Sequence, residues 1–172
     1  MISEKIQEAF NKQLNAELYS SYLYLSMSAY FESMNLEGFA NWMRCQAQEE
    51  IVHAMKFFTY LNERGGTATM APIDGPPTKW DSPLHAFEEA YRHEQKVTGM
   101  INHLVDLGRE ESDHASSAFL QWFVTEQVEE EASADQVVQK IKLAGDRGGG
   151  LFMVDRELAA RMFTMPTAQG EE

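Results

Sequence analysis

Residues 49–53 read EEIVH, and this short stretch decides how the rest of the chain is interpreted. In a helix, Glu50 and His53 are three positions apart and therefore share one face. Apolar side chains extend that face in both directions at steps of four and three residues, the spacing of a buried helical stripe. The stripe comprises Phe39, Met43, Gln46, Glu50, His53, Phe57 and Tyr60. The pattern predicts an amphipathic helix with a carboxylate and an imidazole in the middle of its buried face.

Burial makes the Glu50 carboxylate costly unless a counter-charge or hydrogen bonds compensate for its lost hydration. A metal ion is one such partner, and Glu-x-x-His is the inward-facing ligand pair of di-iron helical bundles. A glutamate and a histidine at this spacing also occur in many helices that bind no metal. The motif alone therefore leaves both interpretations open.

The sequence on either side of this stretch predicts an all-α chain. Ser3, Asn35 and Ser82 are candidate N-caps, and glycines follow the second and fourth helical patterns. A short amphipathic helix is expected near the C-terminus. The four long helices are predicted at about residues 3–34, 35–64, 82–112 and 113–144.

Residues 65–82 form a long connection that is rich in glycine and proline. When extended, these 18 residues span up to ~60 Å, whereas the second helix is about 43 Å long. The connection can therefore return along the whole length of an antiparallel four-helix bundle as a crossover. We expect residues 1–145 to form this ferritin-like bundle topology, residues 146–163 a fifth helix of the same domain, and residues 164–172 a disordered tail.

Polar residues interrupt the buried stripe of every long helix near its middle. Measured from the turns at Asn35 and Ser112, the interruptions in the two helix pairs occur at equal distances, so the two halves repeat with an offset of 77 positions. Residues equally far from a short turn between antiparallel helices lie at equal height, which predicts one buried layer across the bundle. The corresponding pairs are Glu17 with Glu94, Glu50 with Gln127, and His53 with Glu130.

Four carboxylates and one imidazole in a single buried layer require a counter-charge, because like charges so close together cannot all remain ionised. Two divalent ions would balance four carboxylates. Oxygen and imidazole ligands suit iron or manganese and disfavour metals that prefer thiolates. The alternative is a hydrogen-bonded polar core layer without metal.

With this layer defined, the sequence resembles the bacterial non-haem ferritins over nearly its whole length. The resemblance implies a ferroxidase centre with one iron on Glu17, Glu50 and His53. The second iron would bind Glu94 and Glu130, and Glu50 would bridge the two. The substrates would be Fe(II) with O2 or H2O2, and Fe(III) would be stored as mineral inside a homo-oligomeric shell of 24 subunits.

The resemblance also implies roles for residues around the centre. Gln127 would hydrogen-bond a bound water or oxygen species, and Tyr24 and Trp122 match aromatic residues that supply electrons. The short fifth helix, with a hinge at residues 148–150, would line a fourfold axis of the shell. A third iron site beside the centre would use Glu49, Glu126 and Glu129, with Glu130 shared.

Other features of the related families are not expected here. In bacterioferritins a methionine binds haem, and Ile51 occupies the matching position in this chain, so we expect no haem. Animal ferritins line a threefold entry pore with acidic residues where this chain has Ser117 and Leu120. The sequence therefore does not support that entry route for iron.

The composition limits which partners this protein is expected to bind and where in the cell it is expected. The chain has 27 acidic and 14 basic residues, giving a formal net charge of −13, which disfavours binding to nucleic acid or anionic membranes. The single cysteine, Cys45, excludes an internal disulfide. No signal-peptide core or membrane-spanning run is present in the sequence, so we expect a cytoplasmic protein.

Iron storage with ferroxidase activity is the favoured function, and two alternatives remain open. One is a di-iron oxidase or peroxide-reducing bundle protein with another substrate, although the chain has no cysteine pairs for a rubredoxin-like centre. The other is a purely structural bundle or shell component.

Overall fold

A computed structural model describes residues 1–145 and 148–165, and all regular secondary structure in these ranges is α-helical. The predicted architecture of four long helices and a short C-terminal helix is confirmed. None of the described helices has a stretch long and apolar enough to cross a lipid bilayer. The helices are α1 (Glu4–Ser33), α2 (Glu37–Glu63), α3 (Pro83–Glu110), α4 (His114–Ala144) and α5 (Gly149–Leu158).

The two short turns of the bundle have the same construction, which agrees with the internal repeat in the sequence. Asn35 and Ser112, 77 positions apart, both adopt positive φ angles, of 57° and 54°. At the first turn, the N–H of Leu36 donates to the carbonyl of Phe31, and the equivalent bond recurs 77 positions later. These are Schellman motifs, which satisfy carbonyls at the end of a helix. Each turn therefore fixes the relative height of the two helices that it joins.

The long connection between α2 and α3 is a crossover, as predicted. Near its start, the side chain of Asn11 donates to the carbonyl of Thr67 over 2.9 Å. Near its end, the hydroxyl of Ser26 donates to the carbonyl of Pro77 over 2.5 Å. Asn11 and Ser26 are about 22 Å apart along α1. Residues 65–82 therefore follow α1 and return the chain to the end of the bundle where α3 begins.

Buried apolar side chains form two separate clusters, one towards each end of the bundle. Aromatic contacts hold both clusters together, with ring centroids typically between 4.5 and 5.8 Å apart. Phe31, Phe39 and Phe87 are central to the first cluster, and Phe10, Phe57 and Phe123 to the second. On all four long helices, the residues between these clusters are the polar ones that the sequence places in one layer.

The fifth helix packs against its own bundle. Its apolar residues in the sequence are Leu151, Phe152, Val154, Leu158 and Met162. That pattern favours a face turned towards neighbouring subunits, with folding back onto the bundle as the alternative. Instead, Val154 and Leu158 are buried in the first core cluster, whereas Phe152 is 62% exposed. A ten-residue helix is marginal alone, so its stability depends on this contact with α2 and α4.

The glycines before α5 also differ from the predicted hinge at residues 148–150. Gly145 and Gly148 adopt positive φ angles of 75°, so the change of chain direction takes place before the helix begins. Gly149 and Gly150 already belong to α5. A Cβ at Gly150 would lie 2.2 Å from the carbonyl oxygen of Ala144, so close packing requires glycine there. Residues 146–147 and the predicted tail beyond residue 165 lie outside the described residues.

A residue of α5 completes the N-terminus of α2. Asn35 was expected to cap α2, but the N-cap is Leu36, whose side chain makes no capping hydrogen bond. The carboxylate of Asp155 accepts from the backbone N–H groups of Gly38 (2.8 Å) and Phe39 (3.1 Å) instead. A Cβ at Gly38 would lie 1.7 Å from the carbonyl oxygen of Asp155, so only glycine permits this approach. Asn35 cannot cap because it closes α1 in a left-handed conformation.

We expect Asp155→Ala to destabilise the protein by roughly 0.5–2 kcal/mol, the usual cost of losing a helix cap. Backbone amides at Gly38 and Phe39 should also exchange faster with solvent. Thermal unfolding and amide hydrogen exchange measure these effects. The matched control is Glu157→Ala, which removes the ion pair with Lys140 on the exposed side of the same helix and should cost little. Equal stability of the two variants would contradict the capping role.

Candidate metal centre

Six polar residues form a buried layer at mid-height of the bundle. Each is at most 5% exposed, although four of them are glutamates. The two apolar clusters enclose the layer from both ends, and each long helix contributes one or two members. The layer consists of Glu17 from α1, Glu50 and His53 from α2, Glu94 from α3, and Gln127 and Glu130 from α4.

Glu17, Glu50 and His53 converge on one point. One potential ligand atom from each lies within 4.8 Å of the others. Gln13 donates to Oε1 of Glu17 over 2.8 Å, and Nδ1 of His53 lies 3.4 Å from Oε2 of Glu50. In contrast, Oε2 of Glu17, Oε2 of Glu50 and Nε2 of His53 are buried without a hydrogen-bond partner. The Nδ1 of His53 faces Glu50, whereas its unpartnered Nε2 faces Glu126. Unpartnered buried polar atoms are rare in proteins, and these three belong to residues that could ligate a metal ion.

A second group of potential ligands lies next to the first and shares its histidine. His53, Glu126 and Glu130 again bring their ligand atoms within 4.8 Å of one another. Nε2 of His53 lies 4.0 Å from Oε1 of Glu126, and Gln46 donates to Oε2 of Glu130 over 2.7 Å. The sequence analysis included all three ligands but did not foresee that Glu126 would face His53.

Glu94 completes the layer from α3 and is held by two donors. The hydroxyl of Tyr24 donates to its Oε1, and the amide of Gln127 donates to its Oε2 over 3.2 Å. Burial, followed by the nearby charge of Glu130, raises the pKa of Glu94 to about 8. Near neutral pH this carboxyl therefore tends to hold a proton unless a cation replaces it.

The same repulsion affects other members of the layer. Burial raises the pKa of Glu50 well above its usual range, and the charges of Glu94 and Glu17 raise it further. Burial also raises the pKa of Glu130, while the nearby His53 lowers it. A divalent cation among these groups would remove the repulsion and favour their ionised forms. Carboxylates with one imidazole are a hard donor set, suited to iron or manganese.

The three glutamates expected at an extra metal site have different surroundings. Glu126 is half-buried and faces His53, as described above. Glu129 is exposed, although its charge contributes to the raised pKa of Glu126. Glu49 forms an ion pair with Arg161, whose Nη2 lies 2.6 Å from Oε2 of the glutamate. The structure thus brings Glu126 to the layer and gives Glu49 a cationic partner from the C-terminal segment.

The aromatic residues singled out in the sequence lie beside the layer. Tyr24 is fully buried, and burial together with the charge of Glu94 raises its pKa well above 10.0. The ring centroid of Trp122 lies 5.4 Å from that of His53, edge to face. The ammonium group of Lys56 covers the Trp122 ring at 4.0 Å. Both aromatic residues are therefore within a few ångströms of candidate ligands.

Sequence reasoning missed Gln13 and Arg161, and it placed Gln46 on the buried stripe of α2 without giving it a role. Gln13 lies four positions before Glu17 on the same helical face, so its spacing could have revealed it. Arg161 could not be found in this way, because it is 112 positions from Glu49 along the chain.

Comparison with known proteins agrees with this geometry. The family profile described as "Ferritin-like domain" matches residues 7–144. The chain is 50% identical over 161 residues to the bacterial non-heme ferritin of Bacteroides fragilis, covering 94% of this chain and all of that protein. It is 41% identical to a probable bacterial non-heme ferritin-like protein of Haemophilus influenzae, covering 92% of this chain and 96% of that protein.

Solved structures from Archaeoglobus fulgidus are also similar. An open-pore ferritin matches with a TM-score of 0.93 and 53% identity, covering 94% of this chain and 99% of that one. An engineered closed form matches with a TM-score of 0.94 and 54% identity, covering 95% and 100%. Both the sequence match and the structural match extend over nearly the whole chain, and this protein therefore belongs to the ferritin family.

Proposed function

We propose that this protein stores iron and oxidises Fe(II) to Fe(III) at the buried layer. The observation that carries the proposal is the set of three unpartnered ligand atoms on Glu17, Glu50 and His53. A polar core layer without metal would be expected to hydrogen-bond these atoms. Membership of the ferritin family supports iron as the cation.

The ligands suggest how the two ions would be held. We assign Glu17 and His53 to the first Fe(II), Glu94 and Glu130 to the second, and Glu50 to both as the bridge. Glu50 suits that role because, after burial, the charges of Glu94 and Glu17 are the largest influences that raise its pKa. Each proposed iron site therefore contains a carboxylate whose charge acts on Glu50.

The proposed reaction removes one electron from each of two Fe(II) ions. O2 accepts the two electrons and, with two protons, leaves as H2O2; when H2O2 is the oxidant, it is reduced to water. Hard carboxylate ligands favour Fe(III) over Fe(II) and thereby promote oxidation. Gln127 and Tyr24 both donate to Glu94. We propose that they orient this carboxylate and that Tyr24 and Trp122 can supply further electrons.

We further propose that copies of this chain assemble into a closed shell of 24 subunits around the mineral. Large apolar side chains are exposed on the outer faces of α1 and α2, including Leu25, Ile51 and Met55. The exposed Phe152 and Met153 add an apolar surface on α5. Surfaces of this kind are typical of subunit contacts. The description of a related ferritin as having an open pore is consistent with an enclosed interior.

Two further properties belong to this proposal. We treat the bundle and α5 as one domain, because Val154 and Leu158 share the core of the bundle. We assign the protein to the cytoplasm, where its single buried thiol, Cys45, would remain reduced.

Replacing the proposed bridge should separate oxidation from folding. Glu50→Ala should abolish rapid O2-dependent oxidation of Fe(II), because both ions lose a ligand. The metal-free variant should remain folded, since one of several crowded carboxylates is removed. Stopped-flow absorbance and circular dichroism measure the two effects. Glu63→Ala, at an exposed position of the same helix, is the control. A folded Glu50→Ala variant that oxidises Fe(II) at the parent rate would refute the assignment.

Metal binding should release protons near neutral pH. Glu94, with a pKa of about 8, holds a proton in the metal-free protein at pH 7 and has to lose it to ligate a cation. The apparent affinity for Zn(II), a redox-inert probe, should therefore rise between pH 6 and pH 8. Titration calorimetry in buffers of different ionisation enthalpy counts the released protons. An affinity that does not change with pH over this range would show that metal binding does not displace a proton from Glu94.

The mass of the particle in solution tests the proposed 24-subunit assembly. Light scattering should give a particle close to 24 times the 19.6 kDa of one chain. The double variant Phe152→Ser and Met153→Ser should weaken assembly, because both side chains are exposed in the isolated subunit. A parent protein that is a stable dimer, oxidising Fe(II) without retaining mineral, would contradict the shell.

A further inference from the structure

The chain that follows α5 returns along α2 and is fixed there by one side chain. The amide of Asn41 donates to the backbone carbonyls of Leu158 (3.3 Å), Ala159 (3.4 Å) and Arg161 (2.9 Å). The carbonyl of Arg161 also lies 3.8 Å from the thiol sulfur of Cys45. These contacts fix the backbone of Arg161 one helical turn before the metal ligands of α2.

The guanidinium group of Arg161 is directed towards the candidate metal centre. It donates to Gln46 and, over 2.6 Å, to Oε2 of Glu49. Its central carbon lies 4.5 Å from the centroid of the Trp42 ring. The side chains of Arg161 and Glu49 are only 22% and 17% exposed, so solvent screens this ion pair less than the surface pairs.

Gln46 connects this ion pair to the layer. Its Oε1 accepts from Arg161, and its Nε2 donates to Oε2 of Glu130 over 2.7 Å. The bond from Arg161 fixes which end of the amide faces Glu130, because only the nitrogen end can donate. In this arrangement one oxygen of Glu130, a proposed iron ligand, is already hydrogen-bonded.

Glu49 already pairs with a cation, since its Oε2 lies 2.6 Å from Nη2 of Arg161. Glu126, the carboxylate proposed to share the extra site, faces the unpartnered Nε2 of His53 at 4.0 Å. The positive charge beside Glu49 is the guanidinium group of Arg161. A divalent ion on the same carboxylate would lie about 5 Å from that group and be repelled by it.

We propose that Arg161 is a tethered cation that competes with a metal ion for Glu49. The proposal rests on the two-ion centre described above. In the parent chain, two ions bind in the layer, and a third binds at Glu49 and Glu126 only when the guanidinium group is displaced. Arg161 therefore controls access of metal to the extra site and releases the amide of Gln46 when it leaves.

Anaerobic titration calorimetry with Fe(II) on the assembled protein tests this competition. The parent chain should bind two ions tightly per subunit, and Arg161→Gln should bind three. The affinity for the third ion should rise on the order of tenfold or more, from removal of the repulsion between a univalent and a divalent cation. Adding Glu49→Gln to Arg161→Gln should return the count to two. Two ions in Arg161→Gln, or three tight ions in the parent chain, would overturn the proposal.

Two controls separate the charge of Arg161 from its structural contacts. Arg156→Gln removes the same charge from an exposed position of α5 and should leave the count at two. Asn41→Ala loosens the segment but retains the guanidinium group. A third tight site in Arg156→Gln would attribute the effect to overall charge and refute the role of Arg161. Circular dichroism establishes that each variant is folded.

A crystallographic measurement on the parent chain provides an independent test. In crystals soaked in increasing Zn(II), anomalous density beside Glu49 should grow as the contact between Arg161 and Glu49 is lost. A fully occupied Zn(II) site beside Glu49 together with an intact contact between Arg161 and Glu49 would refute the competition. Failure of the parent chain to bind any pair of ions in the layer would refute the proposed function itself. Binding of the pair without a change in Arg161→Gln would refute only the inference about Arg161.

Discussion

The repulsion among buried carboxylates is the constraint on which the rest of this structure depends. Hydrogen-bond donors satisfy part of the layer but leave ligand atoms of Glu17, Glu50 and His53 unpartnered. Burial and like charges raise the pKa of Glu50 and Glu94. Such an arrangement is unfavourable in the absence of a cation, and a divalent ion would both pair unpartnered atoms and neutralise charge. The donors that support the layer are Gln13, Tyr24, Gln46 and Gln127.

The bundle can hold this layer because the apolar packing lies on both sides of it. Two clusters rich in aromatic side chains fix the helices above and below the polar residues. The turns at Asn35 and Ser112 share one conformation, so they align the two helix pairs at the same height. The helices thus bring the candidate ligands together in the absence of a cation, which is the arrangement that a binding site needs.

The segment from Asp155 to Arg161 places charges beside the candidate metal centre and at the start of the helix that carries it. Asp155 places a carboxylate at the N-terminus of α2, where the helix dipole favours negative charge. Six residues later, Arg161 places a positive charge beside Glu49 on the same helix. Contacts that dock α5 therefore also set the electrostatics next to the ligands.

The sequence by itself determined the helices, the crossover, the turns and the layer. Local periodicity predicts the helices, and equal distances to a turn, as for Glu17 and Glu94, predict the layer. Both signals are positions along the chain, so the sequence contains them in full. Only the tertiary structure decided that α5 folds onto its own bundle, that Asp155 rather than Asn35 caps α2, and that Arg161 pairs with Glu49. The bonds of Asp155 and Arg161 to α2 join residues more than 110 positions apart, and they depend on where α5 docks after the glycines that precede it. No repeat or spacing along the chain encodes such a docking position, because it is selected by the fit of Val154 and Leu158 into the bundle core.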